Sequence, residues 1–198
     1  YELYDLTGNE KVKAAAHYFD EESLFNNLAA NKDVLNGKHA NTTIPKFIGA
    51  LKRYTVMTNN EEYYDALTST EQEDLEKYLT AAENFWDIVI NHHTYITGGN
   101  SQSEHFHAAD SMYHYAEGVD DYAGSITCET CNIYNMLKLS RALYQVTKDK
   151  KYMDYYENTY INAILSSQNP ETGTTMYFQP MAPGYNKVFN RPYDEFWC

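Results

Sequence analysis

One short pattern recurs three times in this 198-residue chain and limits what it can fold into. Leu3-Tyr4-x-x-Thr7, Arg53-Tyr54-x-x-x-Thr58 and Leu143-Tyr144-x-x-Thr147 each run into a polar turn, Gly8-Asn9-Glu10, Asn59-Asn60-Glu61 and Lys148-Asp149-Lys150. A helix-favouring stretch follows each turn. The tyrosines stand 50 and then 90 residues apart, about one and two units of ~45 residues, which is the period of stacked helix pairs.

The apolar periodicity agrees. Thr70 to His92 opens on an N-cap threonine with a capping-box-like Glu73, then sets Leu75, Tyr78, Leu79, Ala82, Phe85, Trp86 and Val89 on one broad face. Cys131 to Val146 and Tyr152 to Ser166 repeat the pattern, and Thr43 to Met57 is helical with Pro45 in its first turn. Two segments depart from it. Thr97 to Gly124 carries Gly98-Gly99-Asn100 and no apolar period, so it reads as a long functional loop. Thr174 to Asn190 alternates around Pro183-Gly184 and predicts a short β-hairpin. The expected class is all-α, with polar loops gathered at one end and no linker or second domain.

Composition narrows the partners. With 43% hydrophobic and 22% charged residues the chain is globular. No run approaches the ~18 apolar residues of a membrane span, and no signal peptide is visible, although Tyr1 is not a natural start. A net charge of −13 argues against nucleic acid and against anionic membranes. Neutral ligands remain. The 20 tyrosines suit stacking on sugar rings, and equally suit packing between helices. Three cysteines, Cys128, Cys131 and Cys198, cannot all pair, which favours a metal or a reactive thiol over a disulfide scaffold.

The candidate chemistry lies in four places. Glu129-Thr-Cys131 stands just before a helix and Cys198 ends the chain; carboxylate and thiolate both ligate zinc, but Cys128-x-x-Cys131 could also be a redox pair or inert core. Glu104, on a Gly-rich loop between His105, His107 and Phe106, reads as a general acid near a sugar or as a solvated carboxylate. The two histidines are alternative metal ligands. His39 precedes Asn41 and Thr42 at a helix N-terminus, where those side chains cap the helix or share donors with a hydroxyl-rich ligand.

Taken in order, His39-Ala-Asn-Thr-Thr-Ile-Pro-Lys-Phe-Ile-Gly-Ala, Tyr95-Ile-Thr-Gly-Gly-Asn-Ser-Gln-Ser-Glu-His-Phe, Glu129-Thr-Cys-Asn-Ile-Tyr-Asn-Met-Leu-Lys-Leu and Phe196-Trp-Cys198 resemble the β-L-arabinofuranosidases of glycoside hydrolase families 127 and 146, with 146 the nearer. The resemblance implies a helical-hairpin (α/α)6 toroid, with residues 1–198 a partial ring whose flanking β-sandwich domains are absent. It implies a retaining glycosidase with Glu104 as acid/base and Cys198 as nucleophile. Glu129, Cys131 and Cys198 would bind zinc, and His39, Lys46 and His105 the arabinose-containing substrate. The pattern departs at Ser103 and His107, where glycines are common, and at the extra thiol Cys128. The fourth zinc ligand would follow Cys198, so a chain of this length is expected to be inactive, and its free thiols suit the cytoplasm. Three rivals stand beside this reading: a metal-free toroid glycosidase using Glu104 with Asp110, a non-catalytic zinc or carbohydrate-binding module, and a thiol oxidoreductase through Cys128 and Cys131.

Overall fold

The computed structural model describes residues 1–115 and 126–191. Among them the chain is mostly helical: α1 (Glu2–Thr7), α2 (Glu10–His17), α3 (Glu22–Ala29), α4 (Ala40–Thr58), α5 (Glu61–Asp65), α6 (Ser69–His92), α7 (Met112–Tyr115), α8 (Thr130–Thr147) and α9 (Lys151–Thr159). A π-helical turn, Tyr160–Ile164, and a 3₁₀ turn, Leu165–Ser167, extend α9.

The threefold pattern marks helix ends. Thr7, Thr58 and Thr147 each turn their hydroxyl back to the carbonyl four residues earlier, at 2.7, 2.8 and 2.9 Å. Gly8 and Lys148 then close α1 and α8 in the left-handed conformation, with φ of 61° in both. Asn9, Asn60 and Asp149 accept the first backbone N–H groups of the helix that follows, from Lys11, Tyr63 and Lys151. The repeat is thus a stop-and-restart device.

Helix α6 packs on α3 and α4, α4 on α8, and α8 on α9. At the centre Phe47 and Phe85 stack at 3.9 Å, Phe25 meets Phe47 edge-on at 5.5 Å, and Trp86 meets Tyr152 at 4.7 Å. The indole N–H of Trp86 donates to Ser140 Oγ at 2.8 Å, so its one polar atom is satisfied inside the core.

Several expected boundaries move for physical reasons. The capping box of α6 is Thr68 with Glu71, not Thr70 with Glu73. Leu67 packs with Tyr4, Val56, Met57 and Leu75, and that contact puts the chain reversal two residues earlier. Helix α4 begins at Ala40 with His39 as its N-cap, so Pro45 falls in the second turn and Asn41 and Thr42 lie inside the helix. The predicted helix to Ser166 changes to π and 3₁₀ geometry after Thr159. The expected hairpin is absent among the described residues as a ladder. Residues of 174–190 pair chiefly with other segments, in isolated bridges of Thr175 with Gln168 and Phe178 with Glu129. Within the segment Asn190 closes back on Thr175: its N–H donates to Thr175 O at 3.0 Å, and its Oδ1 accepts from the Thr175 N–H at 2.6 Å. The in-and-out alternation holds for Thr174 to Tyr177 and then breaks, with Phe178 half-buried and Gln179 buried, and Phe178 bridges to Glu129 just before α8. No helix of the described residues is long and apolar enough to cross a membrane.

Candidate active site

The loop carrying Glu104 is built from three backbone devices. Gly98 has φ of 92°, and a Cβ there would lie 1.9 Å from Thr159 Oγ1, so the loop can dock on α9 only without a side chain. Next, Gln102 and His105 exchange both N–H···O bonds, each at 3.1 Å, around Ser103 and Glu104 with φ of 48° and 64°. That is a two-residue hairpin turn with both central residues left-handed, a geometry that Asn-Gly ordinarily fills. Finally the chain leaving the turn pairs with residues 37–40: Ala40 N–H donates to Glu104 O at 2.8 Å and Phe106 N–H to Lys38 O at 2.9 Å. Phe106, with 0% exposure, enters the core two residues beyond Glu104.

Ser103 and Glu104 each sit in a conformation that costs L-residues roughly 1 kcal/mol or more. Ser103→Gly is therefore expected to stabilise the chain by about 1 kcal/mol, raising Tm by roughly 2–4 °C, with the Glu104 contacts kept. Thermal melts of the two proteins check this; an unchanged or lower Tm would show the turn to be unstrained.

The pairing carries Glu104 onto the N-terminus of α4. Its Oε2 lies 3.2 Å from His39 Nε2, and its Oε1 accepts from the Tyr177 hydroxyl at 2.8 Å. Both carboxylate oxygens are held. His39 Nδ1 is buried with no hydrogen-bond partner, and the His105 ring meets His39 edge-on at 5.0 Å.

Glu129 stands at the N-cap of α8 yet makes no capping bond with its side chain, which turns inward instead. The residue is 1% exposed. Its Oε1 accepts from Asn41 Nδ2 at 3.5 Å, and Asn41 Oδ1 in turn accepts from Asn135 Nδ2 at 2.7 Å. Oε2 is buried and has no hydrogen-bond partner. Burial pushes the Glu129 carboxyl above its ordinary range and the Glu104 charge adds to this, while Cys131, His39 and Tyr177 pull it down. Those four causes name the neighbourhood: Glu104, His39, Tyr177, Glu129 and Cys131 come together. Cys131 is half-buried, is in no disulfide, and opens onto a groove of about 560 Å³ between the start of α8 and the turns after α9, where Tyr160, Ile164 and Leu165 line the far wall.

The buried Glu129 Oε2, which has no hydrogen-bond partner, and the neighbouring Cys131 sulfur are a donor pair that suits zinc. Among the described residues no third His, Cys, Asp or Glu completes a metal cluster. Cys198 lies outside the described residues, as does the Phe196-Trp197 stretch before it.

With this geometry in view, the comparisons are specific. All 198 residues match the family described as "Beta-L-arabinofuranosidase, GH127 catalytic domain". This chain belongs to that family. Two solved structures share its fold. The GH127 β-arabinofuranosidase BT3674 aligns with TM-score 0.62 and 21% identity, over 90% of this chain and 26% of its own. A GH127 β-L-arabinofuranosidase from Geobacillus stearothermophilus T6 aligns with TM-score 0.54 and 19% identity, over 90% of this chain and 29% of its own. The chain spans between a quarter and a third of the length of these relatives. No curated protein matches it.

Within this GH127 chain the remaining sequence candidates have partners of their own. Lys46 forms an ion pair with Glu21, which Lys38 joins at 3.6 Å. His105 Nδ1 bonds Ser103 O at 2.6 Å, while His107 Nε2 bonds the Gln102 side chain at 2.9 Å and its ring stacks on Tyr115 at 3.7 Å. Both histidines thus brace their own loop. Asp110 pairs with His92 at 2.9 Å on the surface, and the carboxyl whose proton affinity the Glu104 charge raises is Glu129. Cys128 is 0% exposed among Ile133, Ala163 and Tyr95, and burial pushes its thiol far up. A redox cysteine needs the opposite surroundings.

Tyr177 and Asn135 were not foreseen. Asn135 stands one helical turn after Cys131 on the same face, a spacing that could have flagged it. Tyr177 had no local signal, because only the bridge of its segment to Glu129 brings it to Glu104.

Proposed function

We propose that this chain forms part of the (α/α)6 catalytic toroid of a retaining β-L-arabinofuranosidase, acting on arabinose-containing glycans with Glu104 as acid/base and Cys198 as nucleophile. The observation that carries the reading is the grip on Glu104 by His39 and Tyr177, next to the buried, half-partnered carboxylate of Glu129 and the Cys131 thiol. Glu129, Cys131 and Cys198 would hold zinc. Bound zinc keeps a ligating thiol deprotonated near neutral pH.

The residues then divide the work. The Cys198 thiolate attacks the anomeric carbon, and the glycosidic C–O bond breaks as the C–S bond forms. Glu104 gives its proton to the departing oxygen. It then takes a proton from water, whose oxygen attacks the same carbon and releases the thiolate. Two stereochemical inversions leave the configuration retained. His39 and Tyr177 fix the direction in which the carboxyl faces, so the proton is offered along one line. Asn41 and Asn135 orient Glu129 from the other side. Cysteines used as zinc ligands and not as a disulfide suit a reducing compartment such as the cytoplasm.

The full natural protein is expected to hydrolyse a nitrophenyl β-L-arabinofuranoside, to carry about one zinc per chain and to lose turnover with a chelator. Undiminished turnover without metal would remove the thiolate mechanism. No hydrolysis of any arabinofuranoside would remove the glycosidase.

A further inference from the structure

The π-helical turn Tyr160–Ile164 is tied to the candidate site by one side chain. Gln179, 3% exposed, donates from Nε2 to the Ala163 carbonyl inside that turn and to Ser166 Oγ at 3.4 Å. Its backbone clasps the segment before α8: Gln179 N–H donates to Thr127 O at 2.9 Å, and Gln179 O accepts from Thr127 Oγ1 at 2.7 Å. Between these anchors Phe178 bridges Glu129, and Thr130 N–H donates to Tyr177 O at 2.9 Å. Residues 176–179 therefore form a strut. One face sets Tyr177 against Glu104, and the other sets the register of Glu129 at the head of α8.

A π turn displaces the backbone by one residue and leaves carbonyls that the α ladder would have satisfied; such turns recur at functional sites. Here the Gln179 amide satisfies one of them. A buried amide in that place has a use that shape alone does not explain, since a methionine would fill the volume without reaching a carbonyl.

We propose that Gln179 is a positioning residue for the reaction: through the π turn and Thr127 it fixes where Tyr177 and Glu129 stand relative to Glu104. This rests on the glycosidase reading above. Removing a partner that orients a metal ligand costs typically about 10–100-fold in metal affinity or activity. In the full natural protein Gln179→Met is thus expected to raise the zinc Kd about tenfold and to lower kcat about tenfold, with KM changed less than about twofold.

Ser140→Ala is the control, because it removes a buried hydrogen bond to Trp86 in the core and leaves the strut alone. Both variants lose thermal stability; only Gln179→Met should move zinc affinity and kcat. Thr127→Val and Ser166→Ala loosen the same clasp from either end, and if Gln179→Met does not fold they should shift both quantities in the same direction by a smaller factor. Wild-type zinc affinity and kcat in Gln179→Met, or in both milder variants, would overturn the positioning role while leaving the glycosidase intact. A wild-type protein that neither binds zinc nor cleaves arabinofuranosides would overturn both.

Discussion

Glu104→Gln is expected to lower kcat/KM on arabinofuranosides with ordinary alcohol leaving groups by about 10²–10⁴ in the full natural protein, the range a placed acid/base contributes. The amide matches the carboxyl in size, and its oxygen can still accept from Tyr177 at the place of Oε1. The amide nitrogen can meet His39 at the place of Oε2. The turn survives, because φ of 64° suits Gln no worse than Glu. What is lost is proton transfer. A nitrophenyl leaving group needs little protonation, so its first step should suffer less than that of an alkyl glycoside, and deglycosylation should become limiting. Comparing the two substrates in one assay tests the assignment; equal activity of mutant and wild type on both would end it.

The second large effect is on stability. Gly98→Ala is expected to cost about 3 kcal/mol, seen as a fall in Tm of roughly 6–12 °C. Two strains add. An alanine at φ of 92° leaves the region L-residues favour, worth about 1–2 kcal/mol. Its methyl would also stand 2.7 Å from Thr159 Cβ, in a spot where Thr159 is fully buried and cannot turn away. The Gly98 carbonyl accepts from Tyr155 OH at 2.7 Å, so a shift that relieves the clash breaks that bond. A melting temperature within a degree of wild type would show that the loop is not seated on α9.

What the sequence made legible was what local chemistry decides. Helix stops and restarts at Thr7, Thr58 and Thr147 were readable because a hydroxyl, a turn and a following cap lie within a few residues. The apolar face of α6 was readable for the same reason, although its capping box was placed one threonine too late. Glu104, Glu129, Cys131 and His39 were flagged as residue types in polar or Gly-rich surroundings, and the fold does bring them together. Tyr177 was invisible because it reaches Glu104 across 73 positions of sequence. Lys46, expected from the resemblance to bind substrate, pairs with Glu21, which lies 25 residues upstream and beyond any local pattern. The hairpin expected at 174–190 failed likewise: alternation tells which residues face inward, never which strand lies alongside.

Under the proposed function the seating of Phe106 bears on how a glycan would reach Glu104. Its ring is lodged beneath the loop, two residues from Glu104, and withdrawing it would forfeit about 1.5–3 kcal/mol of burial. Glu104 therefore rides on a pinned loop, and moving it aside carries that cost. Under the proposed function a sugar is expected to enter on the other side, where Cys131 and Asn135 face Tyr160, Ile164 and Leu165 across an open groove.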